Sequence, residues 1–227
     1  MADLIRLSTA TPFARGGNRL VYVHPDRPEV CIKLPRADVN LAVKRRRKGL
    51  KGRLKPAATF DENRAEARTL TELHGRIGDS LAAFVPRFLG WVETDLGRGV
   101  VLELIRDDDG AIATPLKQYV WERGFDERLE AALREFTAYW VRERVPSREL
   151  LLHNVVARRT GDGAVRLVVI DGLGNADLLP LSRWSRRLAR RKSARKAARL
   201  RKRIEDLVRT RAQGGDPGEH GFLRVTD

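Results

Sequence analysis

Asn154 and the pair Asp171-Gly172 sit where the chain could hold a metal ion. Each flanks a β-branched run. Leu150 to Ala157 is apolar apart from His153 and Asn154, and Val165 to Ile170 ends abruptly at Asp171. Between the runs, Arg159-Thr160-Gly161-Asp162-Gly163 reads as a turn with glycines available for positive φ. A hairpin of this length returns the Asn and the Asp to one edge. A carboxylate and a carboxamide together there make a hard-oxygen pair suited to magnesium. The alternative is a polar hairpin whose Asp only caps the following loop.

A second set lies near the N-terminus. Arg15-Gly16-Gly17-Asn18 is a glycine turn that opens a hairpin, and Lys33 interrupts the apolar run Val30 to Leu34. A lysine in such a strand can contact phosphate, as in V-A-I-K. It can also face solvent on an antiparallel pair. Glu66 lies on the following helix, on or near the side of Leu70. A buried glutamate needs a partner, and Lys33 is the natural one. Pairing with Arg64 or Arg68 on a solvated face is the competing expectation.

The elements that must position these residues follow from pattern. Arg19 to His24 and Val30 to Leu34 alternate as strands around the turn Pro25-Asp26-Arg27-Pro28. Asp61 to Gly78 has helical spacing of Ala65, Leu70, Leu73 and Ile77, with Asp61 as N-cap. Val85 to Leu89, Gly90 to Glu93 and Gly99 to Ile105 continue an antiparallel meander. Arg106 to Gly110 is a polar break, Pro115 to Arg123 a short helix, and Asp126 to Arg144 a longer helix capped by Asp126. The class is α+β. The expected division is 1–106 with a basic insertion at 37–58, then 107–181, a basic helix at 182–212, and a flexible tail at 213–227.

Charge is unevenly spread. The net is +15, yet 44–55 carries eight basic residues and no acidic one, and 183–211 carries a net +12. The remainder is mildly acidic. Two basic attachments on an acidic body point to an anionic partner: nucleic acid, ribosome or membrane surface. A solvated helix face is the alternative. Trp184 and Leu188 share one side of the basic helix, and Ala197, Leu200, Ile204 and Leu207 share nearly the opposite one. That split predicts a bend or a change of partner around Arg191 to Lys196. A single cysteine, Cys31, excludes an internal disulfide and a cysteine-rich zinc site, and four scattered histidines argue against a zinc enzyme. No run has membrane-spanning length and no signal-peptide pattern opens the chain, so the expectation is a cytoplasmic protein, peripheral at most to membrane or nucleic acid.

Taken in order, the parts resemble a protein kinase-like fold and, more closely, the YrbL family of PhoP regulatory network proteins. The resemblance rests on Ile5 to Ser8, Tyr22-Val23-His24-Pro25, Cys31-Ile32-Lys33, the helix with Glu66, and Val92-Glu93-Thr94-Asp95. It rests further on Asn154 before its β-branched run, and on Leu179-Pro180-Leu181 followed by Trp184-Ser185. It implies a kinase-like fold with a shortened, mainly helical C-terminal lobe. Gly16 then looks like the central glycine of a phosphate-covering loop, with Gly17 beside it, while Ala14 and Arg19 stand where two other glycines usually do. Lys33 and Glu66 look like the strand–helix ion pair, and Asn154 and Asp171 like magnesium ligands. Glu149 occupies the place of the catalytic Asp, and Leu151 that of a lysine touching the transferred phosphate. D-F-G reads Asp171-Gly172-Leu173, and no A-P-E segment is present.

Three functions compete on this reading. One is an atypical kinase using ATP and magnesium on a non-protein acceptor, by analogy with small sugar and aminoglycoside kinases. The second is a nucleotide-binding pseudokinase adaptor. The third is a basic module with a vestigial ATP site. The ordered set Gly16, Lys33, Glu66, Asn154 and Asp171 favours the first two.

Overall fold

The computed structural model describes residues 4–38, 61–174 and 185–223. The basic stretch 44–55, Leu179-Pro180-Leu181, Arg183 and Trp184 lie outside them. The chain divides into two compact units, one of Met1–Glu72 with Arg87–Leu104, the other of Leu73–Pro86 with Ile105–Leu223. The α+β class read from the sequence is the class observed, with an antiparallel N-terminal sheet and a mainly helical remainder.

In the first unit, β1 (Ala14–Arg15), β2 (Arg19–His24), β3 (Arg27–Pro35), β4 (Phe88–Thr94) and β5 (Gly97–Glu103) form one sheet in the order β1-β2-β3-β5-β4. The register pairs Tyr22 with Ile32 and Val21 with Lys33. Side chains alternate faces along a strand. Tyr22, Val30, Ile32, Leu34 and Val101 therefore share one face, where they close a core with Leu7. Lys33 falls on the other. The two pieces expected over Val85 to Glu93 are one strand, β4, with a register irregularity between Phe88 and Gly90. Gly90 absorbs it at φ 126, a conformation side chains disfavour. Helix α1 (Glu62–Ile77) starts at Asp61, whose Oδ1 accepts from the Arg64 amide at 3.1 Å.

In the second unit, α2 (Leu116–Arg123) follows the short β6 (Thr114–Pro115), and α3 (Glu127–Arg142) follows its N-cap Asp126, which accepts from Leu129 N at 2.9 Å. Leu129, Leu133, Phe136 and Trp140 recur at helical spacing and are fully buried, with the Phe136 and Trp140 rings stacked at 4.7 Å. The hairpin is β7 (Val155–Arg159) with β8 (Val165–Val169), and β6 adds to β7. The strand expected from Leu150 begins only at Val155, because Leu152–Asn154 forms a 3₁₀ turn.

The basic helix α4 runs unbroken from Arg186 to Ala212. The expected bend around Arg191 to Lys196 is absent. Only one apolar stripe is buried, Ala197, Leu200, Ile204 and Leu207 with Ser193, while Leu188 stays exposed. A single partner face needs no change of direction. The segment after α4, read from sequence as a loose tail, is tied to α2 over its described part. Lys117 Nζ donates to the carbonyls of Gly218 and His220, and Leu223 N donates to Gln118 Oε1 at 2.9 Å. Backbone carbonyls offered to a lysine hold a segment that has few apolar anchors of its own.

Candidate functional site

Lys33 and Glu66 meet. Lys33 Nζ lies 2.8 Å from Glu66 Oε1, and the Arg19 guanidinium holds Glu66 Oε2. The three side chains are 8%, 9% and 9% exposed. Arg64 and Arg68 pair elsewhere, with Asp61 and Glu72, so the solvated alternative for Glu66 does not occur. Local pattern explains the meeting. Arg19 and Lys33 occupy the same face of neighbouring strands, two residues out of direct opposition. On α1, Asn63, Glu66, Ala67, Leu70 and Leu73 lie along the buried stripe at helical spacing. Asn63 fixes the docking, since its Nδ2 donates to Lys33 O at 3.0 Å and its Oδ1 accepts from Arg19 at 3.4 Å.

Arg19 is the residue that sequence reasoning placed only as a missing glycine. Its position at the head of β2, one strand period from Val21, was the available signal for its side chain facing α1. A buried carboxylate shared by two cations leaves one positive charge in excess, which Glu62 offsets 3.9 Å from Arg19, and it fixes Lys33 in one orientation.

The glycine loop is a tight turn in which Gly16 N donates to Arg19 O at 2.9 Å. Arg36 clamps it from the next strand end, its backbone N donating to Asn18 O at 2.9 Å and its guanidinium to the carbonyls of Gly16 and Gly17. Neither glycine has a positive φ, and a Cβ at Gly17 would meet nothing within 4 Å. Neither the turn nor the packing requires glycine at 17. The absent side chain leaves room for something outside the chain to approach the backbone.

In the second unit, the hairpin brings Asn154 and Asp171 together. Asn154 O accepts from Ile170 N at 2.9 Å and from Asp171 N at 3.4 Å. Gly172 sits at φ 81, and a Cβ there would lie 2.8 Å from Glu149 O and 2.9 Å from Asn154 Nδ2. Glycine is thus required at 172, both by conformation and by the Asn154 amide pressed against it. Asp171 Oδ1 accepts from Gly172 N at 2.6 Å. The preceding loop is laced to the same turn, with Arg148 N donating to Gly172 O at 2.7 Å and Gly174 N to Pro146 O at 3.0 Å.

Glu149 takes a different partner from the one a catalytic role would suggest. Its carboxylate accepts from Arg203 of α4, and the same guanidinium donates to Leu150 O at 2.9 Å. Lys196 Nζ donates to Arg148 O. The Arg203 hydrogen bond, reinforced by the charges of Arg203, Lys196 and Arg199, holds the Glu149 carboxyl below its ordinary range. Arg203 was not legible as a site residue, because it is one of fourteen basic residues in its stretch.

Asn154 and Asp171 offer oxygens of the kind magnesium takes, and at most two side chains. Among the described residues no group of three His, Cys, Asp or Glu could hold a metal ion alone. The donor set therefore fits an ion that draws its other ligands from phosphate and water. An open acidic hollow lined by Asp108, Glu135 and Asp162 lies at the turn end of the hairpin, away from these two residues.

A strand lysine salt-bridged to a helix glutamate thus sits on an antiparallel sheet ordered β1-β2-β3-β5-β4 in an α+β protein. The chain belongs to the family described as PhoP regulatory network protein YrbL, which it matches over residues 5–205. It is 30% identical over 186 residues to "Uncharacterized protein YrbL" of Escherichia coli (strain K12), covering 81% of this chain and 80% of that one, and equally to the protein of that name from Shigella flexneri. Among solved structures it is similar to "Rad53 1-466 in complex with AMP-PNP", at a TM-score of 0.44 and 15% identity. That likeness covers 84% of this chain and 46% of the other. No helix among the described residues is long and apolar enough to cross a membrane.

Proposed function

We propose that this protein binds a magnesium nucleotide such as ATP and acts as a nucleotide-dependent regulator. The observation that carries the reading is the buried Lys33–Glu66 ion pair. A buried pair costs desolvation and returns little stability beyond what apolar residues of the same size would give. It lies on the strand paired to the one that leaves the glycine turn, where a buried charge pair with little stabilising value points to a ligand. In this reading Lys33 contacts phosphate, Gly16 and Gly17 let the loop backbone approach it, and Asn154 and Asp171 would hold the magnesium ion. The ion would neutralise phosphate charge.

Phosphate transfer to a non-protein acceptor would need Glu149 to orient the attacking hydroxyl. Its ion pair with Arg203 and its lowered proton affinity favour the binding function over turnover. The test is calorimetry of the full chain with ATP, with and without magnesium. Binding that requires magnesium, is lost in Lys33→Met and Asp171→Asn, and leaves the circular dichroism of both variants unchanged is the expected result. Absence of ATP binding by the wild-type chain at millimolar nucleotide overturns it. Phosphate release that Glu149→Gln abolishes would establish the enzyme instead.

A further inference from the structure

The unabsorbed feature of the fold is the outer face of α4. Its inner face is a seam, Ser193, Ala197, Leu200, Ile204 and Leu207, at alternating spacings of four and three, all buried. Flanking contacts pin it, with Arg201 bidentate to Glu130 at 2.9 and 2.6 Å and Ser193 Oγ donating to Val145 O at 3.2 Å. At the α-helical repeat, Arg187, Arg191, Arg195, Arg199 and Lys202 fall together on the side opposite that seam. All five are exposed, and none makes a hydrogen bond or ion pair with a described residue. The first acidic residue of α4 is Glu205, beyond the ridge.

This arrangement is costly to the helix. Arg187, Arg191, Arg195 and Arg199 form three successive like-charge i,i+4 pairs, each destabilising by roughly 0.2–0.5 kcal/mol. The first turn of α4 has no acidic residue and begins Arg186-Arg187, against the sense of the helix dipole. A merely solubilising face would gain from interspersed carboxylates. An anion laid along the ridge relieves all of these repulsions at once.

We propose that the ridge Arg187–Arg191–Arg195–Arg199–Lys202 binds the phosphate backbone of double-stranded nucleic acid without reading its sequence. The ridge is about 22 Å long at the rise of an α-helix, and a duplex presents a charge roughly every 1.7 Å of axis. Four of the five cations are arginines, whose planar forks suit phosphate oxygens. Among the described residues the face carries no aromatic side chain, which argues against base stacking and single-strand selectivity. A membrane-surface helix would need its apolar face free to enter the lipid. Here that face is buried in the protein, and Leu188, 46% exposed, is the one large apolar side chain on the outer side among the described residues. Thirteen basic and two acidic residues give α4 a net charge of +11, and that charge clustered along one helix is the footprint expected of a duplex binder.

The experiment is fluorescence anisotropy of the full chain with labelled DNA and RNA duplexes of mixed sequence, about 24 base pairs long, enough to exceed the ridge. Five phosphate contacts give a log–log salt slope of roughly −4.5, which is about a 500-fold loss of affinity between about 50 and about 200 mM salt. Arg191→Glu, Arg195→Glu and Arg199→Glu together should abolish binding, while Lys at the same three positions should retain it with a similar slope. Gln at the three positions, checked by circular dichroism, covers the case in which charge reversal unfolds the helix; it should flatten the slope by roughly 2.7. Wild-type affinity in a folded Gln variant overturns the proposal, as does binding insensitive to salt. Tighter binding to phosphatidylglycerol vesicles, with no competition by duplex, overturns it in favour of a membrane. None of these outcomes depends on ATP binding.

Discussion

Replacing Glu66 by Gln tests the charge arrangement at the centre of the first unit. The carboxylate is shared between Lys33 at 2.8 Å and the Arg19 guanidinium, all three side chains about nine-tenths buried. Glu66→Gln leaves two cations facing one neutral amide. Removing one partner of a buried pair costs about 3–5 kcal/mol. Arg19 keeps Asn63 Oδ1 at 3.4 Å and Glu62 at 3.9 Å, which places the expected loss near the lower end, about 3 kcal/mol. Lys33→Met behaves differently, because the remaining Arg19–Glu66 pair is still balanced and the methionine replaces the apolar stem. Its cost should be about 1 kcal/mol, one net hydrogen bond. The difference of about 2 kcal/mol is roughly a 30-fold change in the folding equilibrium, or about 4–8 °C in melting temperature for a chain of this size. Urea and thermal unfolding followed by circular dichroism measure it. If Lys33→Met destabilises as much as Glu66→Gln, Arg19 does not share the carboxylate charge and the reasoning fails.

Glycine substitutions separate conformation from ligand access. Gly172→Ala should destabilise by about 2–3 kcal/mol from its positive φ and its contacts with Glu149 O and Asn154. Gly17→Ala has open space, so it should leave unfolding unchanged or slightly raised while lowering nucleotide affinity; equal affinity in calorimetry counts against the phosphate-loop role. Arg203→Gln should raise the Glu149 carboxyl midpoint in a ¹³C-detected titration. Since the folded carboxyl is held low, the Arg203 contact stabilises at neutral pH and its contribution is lost as pH falls through that folded midpoint. A midpoint unmoved by the substitution would mean that the contact is not populated. Burial pushes the Cys31 thiol up to about 11, so native protein should resist iodoacetamide at neutral pH and react once unfolded in urea; rapid native alkylation contradicts the burial.

Much of the architecture is written locally. Alternation in Arg19 to His24 and Val30 to Leu34, the caps Asp61 and Asp126, and the Leu129-Leu133-Phe136-Trp140 spacing each act over a few residues, which is the range of strand pleat and helical turn. The meeting of Asn154 with Asp171 was legible for the same reason, since a short turn joins their strands. Other features lie beyond that range. Lys33 and Glu66 are 33 residues apart, and Glu149 and Arg203 are 54 apart. Sequence allowed Glu66 either Lys33 or a neighbouring arginine; the register of β2 on β3 and the docking of Asn63 selected Lys33 and added Arg19. It also allowed α4 two apolar faces, and only packing chose the one ending at Leu207 and left Leu188 in solvent. Periodicity identifies a face, but which face is covered, and which of many like charges meets a given carboxylate, depends on residues that folding brings together from distant parts of the chain.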